Sequence, residues 1–87
     1  MMDKQTEQFF TLYHEHTMSD WRFFRSGEGK QWFRELRHLA AEMQGNNRKY
    51  AEWLVEETSK AVKEKDAKWF MTLAMNAFDT QMRLIWT

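Results

Sequence analysis

The sequence predicts an all-α domain, a small bundle of four helices or helical pieces joined by short loops. Three observations carry that expectation. Proline is absent and glycine occurs only 3 times in 87 residues, so little interrupts a helix. Apolar residues recur at three- and four-residue spacing along most of the chain. Large apolar groups, with 16% aromatic residues and 7 methionines, are set among 30% charged ones, a mixture that collapses onto a core. One domain spanning residues 1–87 is expected, near the smallest size that sustains a core unaided.

Residues 3 to about 16 read as a first helix, with Asp3 as N-cap and Phe9, Leu12, Tyr13 and His16 at helical spacing. An unbroken continuation to Arg25 would set Asp20 inside the stripe of Phe10, Tyr13, Thr17, Trp21 and Phe24. Thr17-Met18-Ser19-Asp20 has instead the pattern of a capping box, in which hydroxyl and carboxylate satisfy each other's orphan amides. A break near residues 16–19 and a short second piece from Asp20 to Arg25 are therefore expected. Ser26-Gly27-Glu28-Gly29 reads as the clearest turn in the chain. From Lys30 to Gln44, the side chains Trp32, Phe33, Leu36, Leu39, Ala40 and Met43 fall within an arc of roughly 120°. Gly45 is placed to close that helix in a left-handed conformation, and Asn46 or Asn47 to cap the next.

The next helix runs to about Lys65 and buries Tyr50, Ala51, Leu54, Val55, Thr58, Ala61 and Val62, with Glu56 and Lys60 an i,i+4 pair on its wet side. Trp53 departs from the pattern and projects among Lys49, Glu56, Glu57, Lys60 and Glu64. Asp66 reads as N-cap of a final helix. With no Gly or Pro between the two, one long bent helix from residue 47 onward fits the pattern as well. Trp32-Phe33-x-x-Leu36-x-x-x-Ala40 is echoed 37 residues later by Trp69-Phe70-x-x-Leu73-x-x-x-Ala77, which two partial copies explain as similar packing rather than as a repeat.

The final stretch, Asp66 to Thr87, is apolar around more of its circumference than one core requires. Leu73, Leu84, Ala77, Phe70, Ala74 and Ile85 make one face, and Phe78, Met71, Met82 and Met75 continue from it. The arc reaches roughly 200°, where a helix lying on a core needs about 100°. Met71, Met75, Phe78 and Met82 follow i, i+4, i+7 and i+11 as one seam. Methionine is unbranched and polarisable, and is over-used on surfaces that take partners. Either the first helix buries this seam or a protein partner, or a second copy of the chain, covers it. A small bundle has too few helices to sandwich one completely, so part of the seam is expected to serve a partner. Trp53 and Trp86 join it as partner-binding candidates, because Trp is enriched among residues that dominate binding energy. The plain alternative is a Trp53 lying flat under lysine stems or the N-terminal segment, and a Trp86 that anchors the chain end.

Arg22, Arg25, Lys30, Arg34 and Arg37 lie within sixteen residues, interleaved with Trp21, Phe23 and Phe24. Arginines beside aromatics suit a nucleic-acid strand or an acidic protein surface. Asp20, Glu28 and Glu35 dilute the patch, and a formal net charge of +0 argues against a dedicated polyanion binder. The chain has no Cys, so disulfides and thiolate metal sites are excluded. His14 and His16 diverge on a helix, His38 is alone, and His16 with Asp20 supplies too few donors for a site. Neither a metal nor another cofactor is expected. No glycine-rich phosphate loop or nucleophile–base set is present, and Ser19, Ser26 and Ser59 sit at turns or on a wet face. Catalysis and a small-molecule substrate are therefore not expected. The opening MMDKQTEQ lacks the apolar core of a signal peptide and no apolar run approaches the ~20 residues of a membrane span, so a cytoplasmic chain without membrane contact is expected.

These features together predict a small non-enzymatic protein–protein interaction module. It would be accessory or inhibitory and act by occupying a surface of a larger macromolecule, a profile shared by phage- or plasmid-type inhibitors of host complexes. The alternative is a homodimer across the last helix that presents its arginine-rich faces to nucleic acid.

Overall fold

The computed structural model describes residues 2–17 and 19–86, with the Trp86 side chain outside the described set. Among the described residues five helices follow one another: α1 Lys4–Glu15, α2 Trp21–Arg25, α3 Gly27–Glu42, α4 Gly45–Glu64 and α5 Ala67–Trp86. Among the described residues there is no strand, and the all-α class expected from the sequence is what the chain adopts.

Four of the five helix starts have a side-chain cap, α4 being the exception. The Asp3 carboxylate accepts the Thr6 amide at 2.8 Å, and that hydrogen bond holds its pKa below the usual carboxylate value. Asp20 accepts from the amides of Arg22 and Phe23 at 2.9 and 3.2 Å and so opens α2 by itself. The expected capping box around Thr17 does not form, because the Thr17 hydroxyl turns back to donate to the His14 carbonyl; its second member, Met18, lies outside the described residues.

The expected turn over residues 26–29 is also corrected. Ser26 alone joins α2 to α3: its hydroxyl donates to the Phe23 carbonyl at 2.6 Å and accepts the Gly29 amide at 3.1 Å. Gly27, Glu28 and Gly29 are already the first turn of α3. Gly29 is there because α2 lies against it, and a Cβ at that position would run into the Phe23 carbonyl and the Phe24 backbone.

Gly45 is left-handed, at φ 56°, but it opens α4 instead of closing α3, since Met43 and Gln44 are extended between the two. Asn46 and Asn47 then fall inside α4, and Gln44 stands at the cap position without a side-chain bond. At the other end, Lys65 takes φ 53° and the Asp66 amide donates to the Ala61 carbonyl at 2.9 Å. Asp66 then accepts the Trp69 amide at 3.0 Å. Residues 45–86 are therefore two helices. The expected Glu56–Lys60 pair is replaced by Lys60 with Glu57 at 3.3 Å and Glu56 with Arg37 of α3 at 3.7 Å.

The core gathers one stripe from each helix. Phe9, Phe10 and Tyr13 come from α1, Phe24 from α2, Trp32, Phe33, Leu36 and Ala40 from α3, and Met43 from the link that follows. Ala51, Leu54, Val55, Ala61 and Val62 come from α4, and Phe70, Leu73 and Ala77 from α5. Each large side chain contributes about 1.5–3 kcal/mol on burial. Short α2 persists because Phe24 is a plug, 5.5 Å from the Trp32 ring and 5.2 Å from that of Phe70. Two buried polar pairs are satisfied between helices: Trp32 Nε1 donates to the Leu12 carbonyl at 2.9 Å, and Tyr13 and Thr58 share a hydrogen bond at 2.9 Å, whereas Thr6 Oγ1 is buried with no hydrogen-bond partner among the described residues. Helix α3 lies between α1 and α4, and α5 packs mainly on α4 with a narrower contact to α1.

Candidate functional site

On α5 the apolar arc divides in two. Phe70, Leu73 and Ala77 are buried, with Ala74 and Leu84 half-buried beside them. Further round, Met71 is 60% exposed, Met75 70%, Phe78 58% and Met82 37%. The seam stands in water, and α1 does not cover it. The Phe78 ring reaches α1 through an edge contact with His14 at 6.2 Å. Ile85, grouped by the sequence with the buried face, is 49% exposed and lengthens the seam. At ~100° per residue it lies only about 40° from Met71, on the border between the two faces.

From Met71 to Ile85 the seam runs ~21 Å along the helix. It presents on the order of 500 Å² of apolar side chain, near the upper end for a monomeric protein surface. Its flanks are chemically quiet. Along one side, Asp79 and Arg83 neutralise each other at 3.0 Å. Along the other, His14 is half-buried beside Gln81, and burial keeps its pKa below the ordinary imidazole value. Among the described residues His14 Nε2 has no hydrogen-bond partner, although it is buried. Trp53 is 44% exposed and leans on Tyr50 at 5.8 Å, while the Tyr50 hydroxyl donates to Asn76 Oδ1 of α5 at 2.6 Å. It is linked to α5 through Tyr50. The Trp86 side chain lies outside the described residues.

The basic residues regroup. Arg25, Lys30, Arg34 and Arg37 line one open groove of 630 Å³ where α2, α3 and α4 meet, over Phe24, Phe33 and Val62 and beside Ser59. Lys63 of α4 completes it. Lys63 was missed because it lies 26 residues beyond Arg37 on another helix, and nothing in the sequence shows that the two helices pair there. Arg22 does not join. It is almost fully exposed and pairs with Asp20 at 3.6 Å.

Two of the groove cations are oriented by neighbours. Arg37 lies over the Phe33 ring at 5.8 Å and pairs with Glu56, and Arg34 donates twice to Gln31 Oε1 at 3.2 and 2.7 Å. Arg25, Lys30 and Lys63 have no ion-pair partner among the described residues. The aromatics expected to interleave with the arginines are used by the fold. Phe23 stacks on His16 at 4.1 Å and Trp21 sets its edge to Phe70 at 5.8 Å. That stacking, with His16 Nδ1 at 3.3 Å from Ser19 Oγ, also replaces the His16–Asp20 pair suggested by spacing.

Among the described residues no group of three or more His, Cys, Asp or Glu is placed to hold a metal ion. No helix there is long and apolar enough to cross a membrane. No family model, curated protein or solved structure matches the chain.

Proposed function

We propose that the protein is a non-enzymatic protein–protein interaction module, accessory or inhibitory, that seats the apolar face of α5 in an apolar groove on a larger protein. The observation that supports this reading is the seam of Met71, Met75, Phe78, Met82 and Ile85 standing in water on a well-packed helix. Anchors at i, i+4, i+7 and i+11 match the spacing with which an amphipathic helix docks into a groove. Three methionines among four anchors suit a surface that must adapt to its partner. A concave partner is favoured over a second copy by area. Two seams pressed together would bury on the order of 1,000 Å², below the ~1,200–2,000 Å² of stable specific interfaces. A groove that closes over both flanks of α5 reaches that range, and activity then consists of occupying or bridging the partner's surface. A cytoplasmic site of action belongs to the same proposal and suits a chain without cysteine.

The test is the double variant Met75→Glu/Met82→Glu. Both side chains are exposed, so circular dichroism and the denaturation midpoint should stay at parent values. Light scattering coupled to gel filtration should give a monomer for parent and variant alike. In affinity capture from the native host, a partner held by the parent should be lost from the variant by at least about tenfold. A tight parent dimer that the substitutions dissolve would overturn the reading in favour of a second copy. Capture indifferent to the substitutions would remove the seam from binding altogether.

A further inference from the structure

We propose that the groove walled by Arg25, Lys30, Arg34, Arg37 and Lys63 is a second binding site, and that its ligand is an acidic amphipathic helix of another protein. It shares no residue with the α5 seam and does not depend on it. Five cations line this groove and no carboxylate does, in a chain whose formal net charge is +0. The charges of this molecule are therefore segregated, and the groove concentrates positive potential that a ligand with several negative groups relieves. Glu56 stands at the rim, on Arg37.

The spacing selects the shape of the ligand. Lys30, Arg34 and Arg37 occupy i, i+4 and i+7 on α3, successive rises of ~6 and ~4.5 Å. A helix laid alongside carries carboxylates at the same rises when its acidic residues follow the same intervals. Lys63 and Arg25 meet such a helix from the other elements that form the groove. Beneath them the aliphatic stems of the basic residues, lying over the buried Phe24, Phe33 and Val62, offer an apolar floor to the ligand's other face. Arg34 and Arg37 are held in place by Gln31, Phe33 and Glu56, which lowers the cost of ordering them on binding.

A nucleic-acid strand fits less well. Phe24 and Phe33 are buried, and Trp21 and Phe23 pack against Phe70 and His16, so the groove lacks the ring faces on which bases stack. A polyanion continuing past Arg37 would also meet Glu56.

The experiment uses the full chain and a labelled synthetic helix with Glu at i, i+4 and i+7 and Leu on the adjoining face, read by fluorescence anisotropy near ~50 mM salt. Comparators are a shuffled peptide of identical composition, a single-stranded oligonucleotide and a duplex. The patterned peptide should bind at least about tenfold tighter than the shuffled one and tighter than either nucleic acid. Lys30→Glu/Lys63→Glu should lower its affinity by at least about tenfold with an unchanged circular dichroism spectrum, and Met75→Glu/Met82→Glu should leave it unaltered. A peptide in which Lys replaces only the Glu facing position 30 should bind the charge-reversed variant better than the all-Glu peptide does, which a misfolded variant would not allow. Equal affinity for patterned and shuffled peptides, tighter binding of an oligonucleotide, or parent-like affinity in Lys30→Glu/Lys63→Glu would each overturn the proposal.

Discussion

Tyr13 shows how one polar atom in the core ties distant parts of the chain together. Its hydroxyl and that of Thr58 share a hydrogen bond although the residues are 45 positions apart. Burial pushes the Tyr13 phenol from its ordinary 10.0 up to about 12. The folded chain therefore keeps a proton that the unfolded chain releases. Stability tied to this group is full below pH 10 and falls as pH rises toward 12. Tyr13→Phe should cost about 1–3 kcal/mol at neutral pH in urea denaturation, because Thr58 is left without its partner. It should also flatten the alkaline loss. Adding Thr58→Val should recover part of the cost, and strictly additive penalties would show that the two hydroxyls are independent. Helical spacing was enough to place Tyr13 and Thr58 on buried stripes. Nothing local to either residue shows which stripe faces which, so the bond between them was not legible. Trp53 was half legible: its charged neighbours in projection suited an exposed indole and one covered by lysine stems or the N-terminal segment alike, and packing leaves it 44% exposed against Tyr50.

Among the elements, the contact of α2 with α3 turns on a single absent side chain. A Cβ at Gly29 would meet the backbone of Phe23 and Phe24, whereas one at Gly27 would meet open space. Gly29→Ala should therefore cost about 3 kcal/mol or more, since backbone rather than a flexible side chain must move. Gly27→Ala should stay within about 1 kcal/mol of the parent, on the stabilising side. Chemical denaturation of both variants decides the matter, and similar midpoints would mean that α2 does not hold the position described. This contact also explains a misread boundary. Two glycines within three residues look like a turn when only local propensity is considered, and here one of them makes room for another helix. Caps such as Asp3 and Asp66 were legible because their bonds close within three residues. The left-handed Lys65 that separates α4 from α5 carries no such sign, since a lysine there adopts a conformation ordinarily left to glycine. Lys63 entered the basic groove unseen for a related reason, being brought to Arg37 by the pairing of two helices.

For the molecule as a whole, α5 is decisive because its 20 residues, ~30 Å of helix, carry the exposed apolar seam. Its excess of apolar surface was readable from periodicity alone, and packing decided which part of that excess reached solvent. With a formal net charge of +0, little repulsion keeps these faces apart at high concentration. Solubility should pass through a minimum near neutral pH and rise in Met75→Glu/Met82→Glu, which adds two negative charges to the seam. The protein left in solution after centrifugation at matched concentration measures this, and an unchanged value would show that something other than the seam brings molecules together.

The same placement has a chemical side. Among the described methionines, Met71, Met75 and Met82 are open to a dissolved peroxide, whereas Met43 is sealed within the core. One oxygen added to each thioether makes a polar sulfoxide that reductases can reverse, on side chains the core never enclosed. Redox history would thus be written on the face of this molecule and leave its architecture untouched.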